Sequence, residues 1–173
     1  MMEARGSEPA AKNTTTFERR SDRELVVTRA LNAPARIVFD AWTKPELLKR
    51  WWAPCSLGVK LFECEADVRV GGKYRYVFGR ELATAVAFSG VYREVVPGAR
   101  LVHTQVFEPQ AAAGEAIVTA TFEESHGKTK LTLYQVFPSK EALDGAVASG
   151  MEYGARETME QLEEMLAKRG AES

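Results

Sequence analysis

Residues 33–52 read APARIVFDAWTKPELLKRWW, and this stretch carries more information about the fold than any other. Its apolar residues recur at positions i, i+3, i+4 and i+7, which places them along one side of a short helix. These residues are Ala35, Val38, Phe39 and Trp42. Pro34 fits the first helical position, where a backbone N–H needs no partner. The stretch therefore predicts a helix that begins near Pro34 and packs inward.

A second short helix is predicted directly after the first. Thr43 and Glu46 form the T-x-x-E pattern of a capping box, in which two side chains satisfy free backbone donors at a helix start. We expect this helix to run to about Arg50. Trp51 and Trp52 follow it, and neighbouring residues on a helix point about 100° apart. One indole is therefore expected to anchor the core, and the other to line a cavity or face a partner subunit.

The composition indicates one soluble domain. The chain has 173 residues, of which 45% are apolar, and this size suits a single domain with tails. Its net charge of -1 gives no broad attraction for nucleic acid or for an anionic membrane. No apolar run has the roughly 20 residues of a membrane span, and no signal core is visible, so we expect a cytoplasmic protein without membrane insertion. Cys55 and Cys64 lack a histidine cluster, so no metal site is predicted.

Several segments of strand length surround the helical stretch. Residues 24–31 form the first, and six more follow at about 58–67, 73–79, 84–96, 100–108, 116–124 and 128–137. Turn signals rich in Gly and Pro separate them, and the connections are too short for parallel crossovers. The segments therefore predict an antiparallel meander. Residues 1–20 are rich in Ala, Thr, Ser and charged residues, with Phe17 as their only aromatic residue, and are expected to form a disordered tail.

A helical pattern begins at Ser139 and continues for about 28 residues. Residues on one side recur every three or four positions: Leu143, Val147, Met151, Gly154, Thr158, Leu162 and Met165. This predicts one long C-terminal helix with a buried stripe. The expected fold is α+β: a curved antiparallel sheet of about seven strands, wrapped around this helix, with two short helices after the first strand. We expect a single domain over residues 21–169 and a C-terminal tail over residues 170–173.

The element order and six motifs together resemble one known superfamily. The motifs are APARIVFDAWTKPE at 33–46, WWAP at 51–54, DVRVGG at 67–72, GVYRE at 90–94, VTATF at 118–122 and GMEYG at 150–154. They are similar to the START-like, or SRPBCC, superfamily, in the branch named after the C-terminal domain of activators of the heat-shock chaperone ATPase. The resemblance spans residues 24–168. It implies the helix-grip, Bet v-like fold, with a ligand space between sheet and helix.

Candidate cavity residues come from the aromatic strand faces and from the last helix. Tyr74, Tyr76 and Phe78 alternate along one strand, as Phe88 and Tyr92 do along the next. Glycine inside a helix costs about 1 kcal/mol relative to alanine, so the helix glycines need a reason. Either a ligand or tightly packed sheet side chains could supply it. The predicted cavity residues are Trp42, Trp51, Tyr74, Tyr76, Phe78, Phe88, Tyr92, Val147, Gly150, Met151, Gly154 and Thr158.

Three polar residues are candidates for contact with a ligand. Asp67 and Arg69 share a strand face, so they could form a structural ion pair or hold a polar group. His103 lies on a predicted strand. The chain has no nucleophile elbow such as G-x-S-x-G and no H-E-x-x-H, so no catalytic residue and no cofactor are predicted.

The leading functional hypothesis is non-enzymatic binding of a hydrophobic or amphipathic small molecule in a cavity between the sheet and the C-terminal helix. One alternative is a co-chaperone-like module that binds a chaperone, as the branch name implies. Another is a cyclase- or hydrolase-like enzyme that uses the same cavity, for which a polar cluster around His103 or Tyr76 would be the sign. Open sheet edges also make a homodimer a reasonable expectation.

Overall fold

The computed structural model describes residues 13–172, with side chains through Arg169. The strands in this range are β1 (Thr15–Arg19), β2 (Glu24–Leu31), β3 (Lys60–Ala66), β4 (Lys73–Gly79), β5 (Val86–Val96), β6 (Arg100–Phe107), β7 (Ala116–Ser125) and β8 (Lys128–Val136). The α-helices are α1 (Ala35–Thr43), α2 (Pro45–Trp51), α3 (Lys140–Ala148) and α4 (Met151–Glu172). Short 3₁₀ turns cover Cys55–Leu57, Leu82–Thr84 and Glu108–Ala113.

The strands form one curved antiparallel sheet in the order β1-β2-β8-β7-β6-β5-β4-β3. Its register places Tyr92 opposite His103, His103 opposite Val118, and Val118 opposite Gln135. These four residues therefore form one row across the middle of the sheet, on the face that the helices cover. The predicted α+β helix-grip fold is confirmed. The sheet has one strand more than the seven predicted.

The extra strand corrects the prediction for the N-terminal tail. Residues 15–19 are not loose, because β1 pairs with β2 along its whole length. Two contacts that the sequence does not reveal hold it: the Arg156 guanidinium lies 4.7 Å from the centre of the Phe17 ring, and it donates a hydrogen bond to the Thr15 carbonyl. The first part of the predicted tail, residues 1–12, lies outside the described residues.

The predicted single C-terminal helix is wrong in its continuity. It consists of α3 and α4, which are separated at Ser149 and Gly150. Gly150 has a φ of +88°, a left-handed conformation that ends a helix and that glycine adopts without strain. α4 continues to Glu172, so the predicted C-terminal tail is helical at least through that residue, and Ser173 lies outside the described range.

The predicted capping box is also absent. Thr43 ends α1 and donates its hydroxyl to the Phe39 carbonyl at 2.8 Å, so it does not cap α2. Lys44 is the N-cap of α2 without a side-chain hydrogen bond, and Pro45 occupies the first turn. Proline has no N–H to satisfy, and its fixed φ suits a helix start, so the helix begins without a hydroxyl cap.

Buried apolar side chains of the described chain fall into two clusters. The larger joins α1, α2 and α4 to the sheet and includes Val38, Trp51 and Leu162. The smaller joins β2 and β7 to α3 and includes Leu25 and Leu143. Within residues 13–172, no helix is both long and apolar enough to span a membrane.

Candidate ligand-binding cavity

A cavity of about 650 Å³ lies between the sheet and the helices. Its wall includes Trp51 from the larger core cluster and Phe137 from the smaller one, together with Leu133, which packs against both clusters. Side chains from β4 to β8 form the floor, and residues of α3 and α4 form the roof. Apolar residues dominate the wall. A space of this size and lining is typical of sites for small organic molecules.

One end of the cavity is a cluster of aromatic rings. The Trp52 ring centre lies 5.4 Å from that of Tyr76 and 5.1 Å from that of Phe78. Phe78 stacks on Phe88 with 5.4 Å between ring centres, and Phe88 contacts Phe107 at 5.2 Å. The offset and edge-to-face arrangements are those that aromatic rings prefer. We call Trp52, Tyr76, Phe78, Phe88 and Phe107 the aromatic end.

The two adjacent tryptophans have different roles. Trp51 is only 2% exposed and donates its indole N–H to the Ala41 carbonyl at 2.9 Å, so it anchors the core. Its ring lies 4.8 Å from that of Trp42. Trp52 belongs to the aromatic end instead. Both indoles nevertheless reach the cavity wall, which a 100° separation on an ideal helix does not suggest.

A hydrogen-bonded polar group on the floor consists of the Tyr74 hydroxyl, the His103 ring and the Thr104 carbonyl. The Tyr74 hydroxyl donates to the Thr104 carbonyl at 2.6 Å. His103 Nδ1 lies 3.0 Å from that carbonyl and 3.1 Å from the Tyr74 oxygen. Because the single Tyr74 hydrogen is directed to Thr104, Nδ1 must carry a hydrogen and donate it to these oxygens. The neutral ring therefore has Nε2 as its acceptor.

Burial keeps this polar group uncharged at neutral pH. Desolvation lowers the pKa of His103, an effect that its hydrogen bond to the Thr104 backbone partly opposes. Burial likewise raises the pKa of Tyr74 and Tyr76 far above the ordinary value, and that of Tyr92 to about 12. Of the wall residues in the described chain, none is Asp, Glu, Lys or Arg. The wall thus carries no formal charge at neutral pH.

Three glutamines that the sequence reasoning missed belong to this wall, namely Gln105, Gln110 and Gln135. Gln135 on β8 is 7% exposed, and Gln105 on β6 is half-buried. No residue within 13–172 forms a hydrogen bond with the Gln135 side-chain amide. The signal that could have identified Gln135 is its alternation with Leu131 and Leu133, which places all three on the covered face of one strand.

Most of the predicted cavity residues lie in the wall. Together with one of the polar candidates they are Trp42, Trp51, Tyr74, Tyr76, Phe78, Phe88, Tyr92, His103, Met151, Gly154 and Thr158. Their contact with a ligand stays a prediction. An added Cβ at Gly154 would have no atom within 4 Å, so tight packing of sheet side chains does not explain this glycine.

Four predicted residues lie outside the wall. Val147 is 38% exposed on α3, whose cavity-facing residues are Ala142, Gly145 and Ala146. Gly150 forms the break itself. Asp67 and Arg69 form an ion pair at 2.9 Å on the surface, which is the structural alternative proposed for them.

The comparisons with known proteins agree with this architecture. The family model described as Activator of Hsp90 ATPase homolog 1-like protein matches residues 32–167. A crystal structure of a protein from Rhodobacter sphaeroides has a TM-score of 0.82 at 26% identity, with 89% of this chain and 99% of that chain covered. One from Nitrosomonas europaea has a TM-score of 0.76 at 25% identity, covering 87% and 98%.

An HSP90 activator from Plasmodium falciparum is a more distant structural relative. Its TM-score is 0.52 at 22% identity, covering 66% of this chain and 73% of that chain, so the likeness concerns the fold. None of the curated proteins compared with the chain matches it. Because the family model covers most of the sequence, the chain belongs to the Activator of Hsp90 ATPase homolog 1-like family.

Proposed function

We propose that this member of the Activator of Hsp90 ATPase homolog 1-like family binds one hydrophobic or amphipathic small molecule in the cavity, without transforming it. The observation that carries the proposal is the cavity of about 650 Å³ whose wall includes residues of both apolar clusters. Protein interiors are normally close-packed, and a void forfeits the contacts that its lining could make. A ligand would restore those contacts.

The size of the cavity is consistent with useful affinity. Burial of apolar surface contributes about 25 cal/mol per Å², so a ligand that buries roughly 300 Å² gains about 7.5 kcal/mol before association costs. The aromatic end offers ring faces and edges to an aromatic or alicyclic body. Micromolar affinity corresponds to about 8.2 kcal/mol after association costs, so we expect it only for a ligand that buries more surface than this or adds ring contacts and hydrogen bonds.

The polar group on the floor supports binding rather than catalysis. A general base needs a position from which it can accept a proton and a partner that orients it. His103 is oriented by Thr104 and Tyr74, but desolvation disfavours its charged form, and no wall residue of the described chain is a carboxylate. The arrangement suits hydrogen bonding to a bound molecule.

Fluorescence titration with N-phenyl-1-naphthylamine, an uncharged hydrophobic probe, tests the proposal. We expect saturable one-to-one binding to the wild-type protein. Gly154→Leu places a side chain in the open space over Gly154 and should weaken binding by about tenfold or more. Tyr153→Leu, at a position that is 61% exposed on the same helix, is the matched control and should bind like the wild type.

Two results would count against the proposal. One is the absence of saturable binding to the wild-type protein. The other is wild-type affinity in Gly154→Leu, provided that circular dichroism and the melting temperature show that this variant is folded.

The family description supports a second candidate, a co-chaperone-like interaction with an Hsp90-type chaperone. Purified protein should then stimulate the ATPase of that chaperone. Absence of stimulation and of co-purification would exclude this role. Neither result affects the binding test above.

A further inference from the structure

We propose that the ligand is uncharged at neutral pH and carries a carbonyl or hydroxyl group that hydrogen-bonds to Gln135, while its apolar body extends toward the aromatic end. This inference rests on the proposed function and specifies its ligand class. Two independent observations carry it, namely the charge of the wall and the unpartnered amide.

The first observation concerns charge. Wall residues in the described part of the chain include no Asp, Glu, Lys or Arg, and burial favours the neutral forms of His103 and the three tyrosines. A carboxylate, phosphate or ammonium group would lose its hydration on entry and find no opposite charge. The cavity should therefore select against ions that have the same shape as a neutral ligand.

The second observation concerns Gln135. The residue is 7% exposed and lines the cavity, and its amide has no hydrogen-bond partner among residues 13–172. The fully buried side-chain N and O atoms without a partner in the described residues are Arg29 Nε and Arg169 Nε, so the Gln135 amide keeps contact with the open space of the cavity, where a polar group can reach it. The amide can donate to a carbonyl or accept from a hydroxyl, so either group on a ligand would satisfy it.

The sheet register fixes where that polar contact lies relative to the rest of the cavity. Gln135 is separated from His103 by Val118 in the same cross-strand row, and neighbouring strands are about 4.8 Å apart. The backbones of the two polar residues are thus roughly 10 Å apart. β8 is three strands away from β5, which carries Phe88. A ligand with one polar end at Gln135 can therefore place rings against the aromatic end, and His103 Nε2 can accept from a second hydroxyl.

A series of four naphthalenes with similar shapes tests the hydrogen bond to Gln135 and the selection against charge separately. Isothermal titration compares 2-acetylnaphthalene with 2-ethylnaphthalene, which lacks the carbonyl, and 2-naphthamide with 2-naphthoate, which is ionised at neutral pH. In the wild-type protein we expect the acetyl compound to bind about tenfold more tightly than the ethyl compound. The amide should exceed the carboxylate by at least about tenfold.

Gln135→Leu keeps the apolar wall and removes the amide. The preference for acetyl over ethyl should disappear in this variant, while ethylnaphthalene binds at least as well as before. Thr132→Val, on the opposite face of the same strand, is the control and should keep the wild-type preference. Circular dichroism establishes that both variants are folded.

The outcomes distinguish this inference from the proposed function. If the neutral compounds bind but naphthoate binds equally well, or if the acetyl preference is absent in the wild type or survives in Gln135→Leu, the assigned ligand class is wrong and the cavity remains a binding site. If none of the four compounds and no N-phenyl-1-naphthylamine binds, the proposed function itself fails.

Discussion

At the scale of single residues, Gly90 shows how the polar floor depends on a missing side chain. A Cβ at this position would lie 2.0 Å from the Thr104 carbonyl oxygen and 2.6 Å from Tyr74 Cε1. Glycine therefore allows β5 to approach Tyr74 closely enough for the Tyr74 hydroxyl to reach Thr104. The hydrogen bonds that orient His103 depend on this approach.

Gly90→Ala should consequently destabilise the protein by about 1–3 kcal/mol, since the new methyl group must displace backbone or a buried ring. Urea unfolding at neutral pH measures the change. Gly145→Ala is the control, because an added Cβ there has no atom within 4 Å and alanine favours the helix. Equal stability of Gly90→Ala and wild type would show that the floor is more adaptable than the structure indicates.

The lowered pKa of His103 predicts how the folding stability changes with pH. The unfolded chain binds a proton at His103 near its ordinary pKa of about 6.5, whereas burial delays protonation of the folded protein. Both states are neutral there at higher pH, so folding stability should decline as the pH falls below about 6.5. Tyr74 and Tyr92, whose rings contact His103, remain neutral throughout this range.

His103→Gln should lose less stability over the same interval. The difference in slope between the two proteins should approach, and not exceed, about 1.4 kcal/mol per pH unit. Urea unfolding of both proteins in steps between neutral and mildly acidic pH gives this difference. Parallel curves would mean that His103 takes up a proton as easily in the folded state as in the unfolded one.

At the scale of elements, the two glycines near the start of α4 have different reasons for being there. Gly150 has a positive φ and separates α3 from α4, whereas Gly154 lies inside α4 with open space beside it. The first is required by the backbone. Gly154 leaves room in the cavity, and its presence inside the helix lowers helix stability relative to alanine.

Gly154→Ala should therefore stabilise the protein by about 0.5–1 kcal/mol, because alanine is the better helix former and meets no neighbour. Gly150→Ala, at the left-handed position, should destabilise it. Chemical denaturation of both variants measures the contrast. A destabilised Gly154→Ala would reveal a close contact that the present geometry excludes.

A buried ion pair ties β2 to α4. Arg29 is 5% exposed, and its guanidinium donates to Glu163 at 3.1 Å and to the Thr15 hydroxyl at 3.1 Å. Glu163→Ala would leave the Arg29 charge buried without its partner, so we expect a loss of about 3 kcal/mol in unfolding free energy.

Removal of both charges should recover much of that loss. The double variant Arg29→Met with Glu163→Ala is expected to be more stable than Glu163→Ala alone, since no unpaired charge remains. Glu164→Ala, at the exposed neighbouring position, should change stability by less than about 0.5 kcal/mol. Thermal unfolding of the three variants measures these stability changes. If Glu163→Ala is as stable as the wild type, water reaches Arg29.

The sequence predicted the strands well, and its failures have specific physical reasons. Alternation and turn residues mark β3 to β8, so their bounds follow from local signals. β1 was missed because cross-strand pairing and the stacked Arg156, rather than its own composition, hold Phe17 in place. The break at Gly150 was missed because the apolar periodicity continues across it, and periodicity does not report φ.

At the scale of the whole molecule, the central feature is a cavity whose wall includes residues of both apolar core clusters. The aromatic wall residues could be predicted from strand parity. Gln135 could not be identified as unpartnered, because a missing hydrogen bond is a property of the assembled sheet and helices rather than of one strand. The charge-free wall is likewise visible only after folding.

Ligand binding should stabilise the whole protein by linkage. At a free ligand concentration of about 100 times Kd, the folded state gains about 2.7 kcal/mol, which corresponds to a rise in melting temperature of roughly 5–10 °C for a chain of this size. Differential scanning calorimetry with N-phenyl-1-naphthylamine measures the shift. Gly154→Leu, whose affinity is expected to be about tenfold lower, should gain only about 1.4 kcal/mol at the same ligand concentration and show about half of this shift.

The most direct measurement is a crystal structure of the protein with 2-acetylnaphthalene. We expect one molecule inside the cavity, with its carbonyl oxygen about 3 Å from the Gln135 side-chain nitrogen and its rings against Phe78 and Phe88. A cavity filled throughout by the protein's own side chains, or a ligand found only on the outer surface, would contradict it.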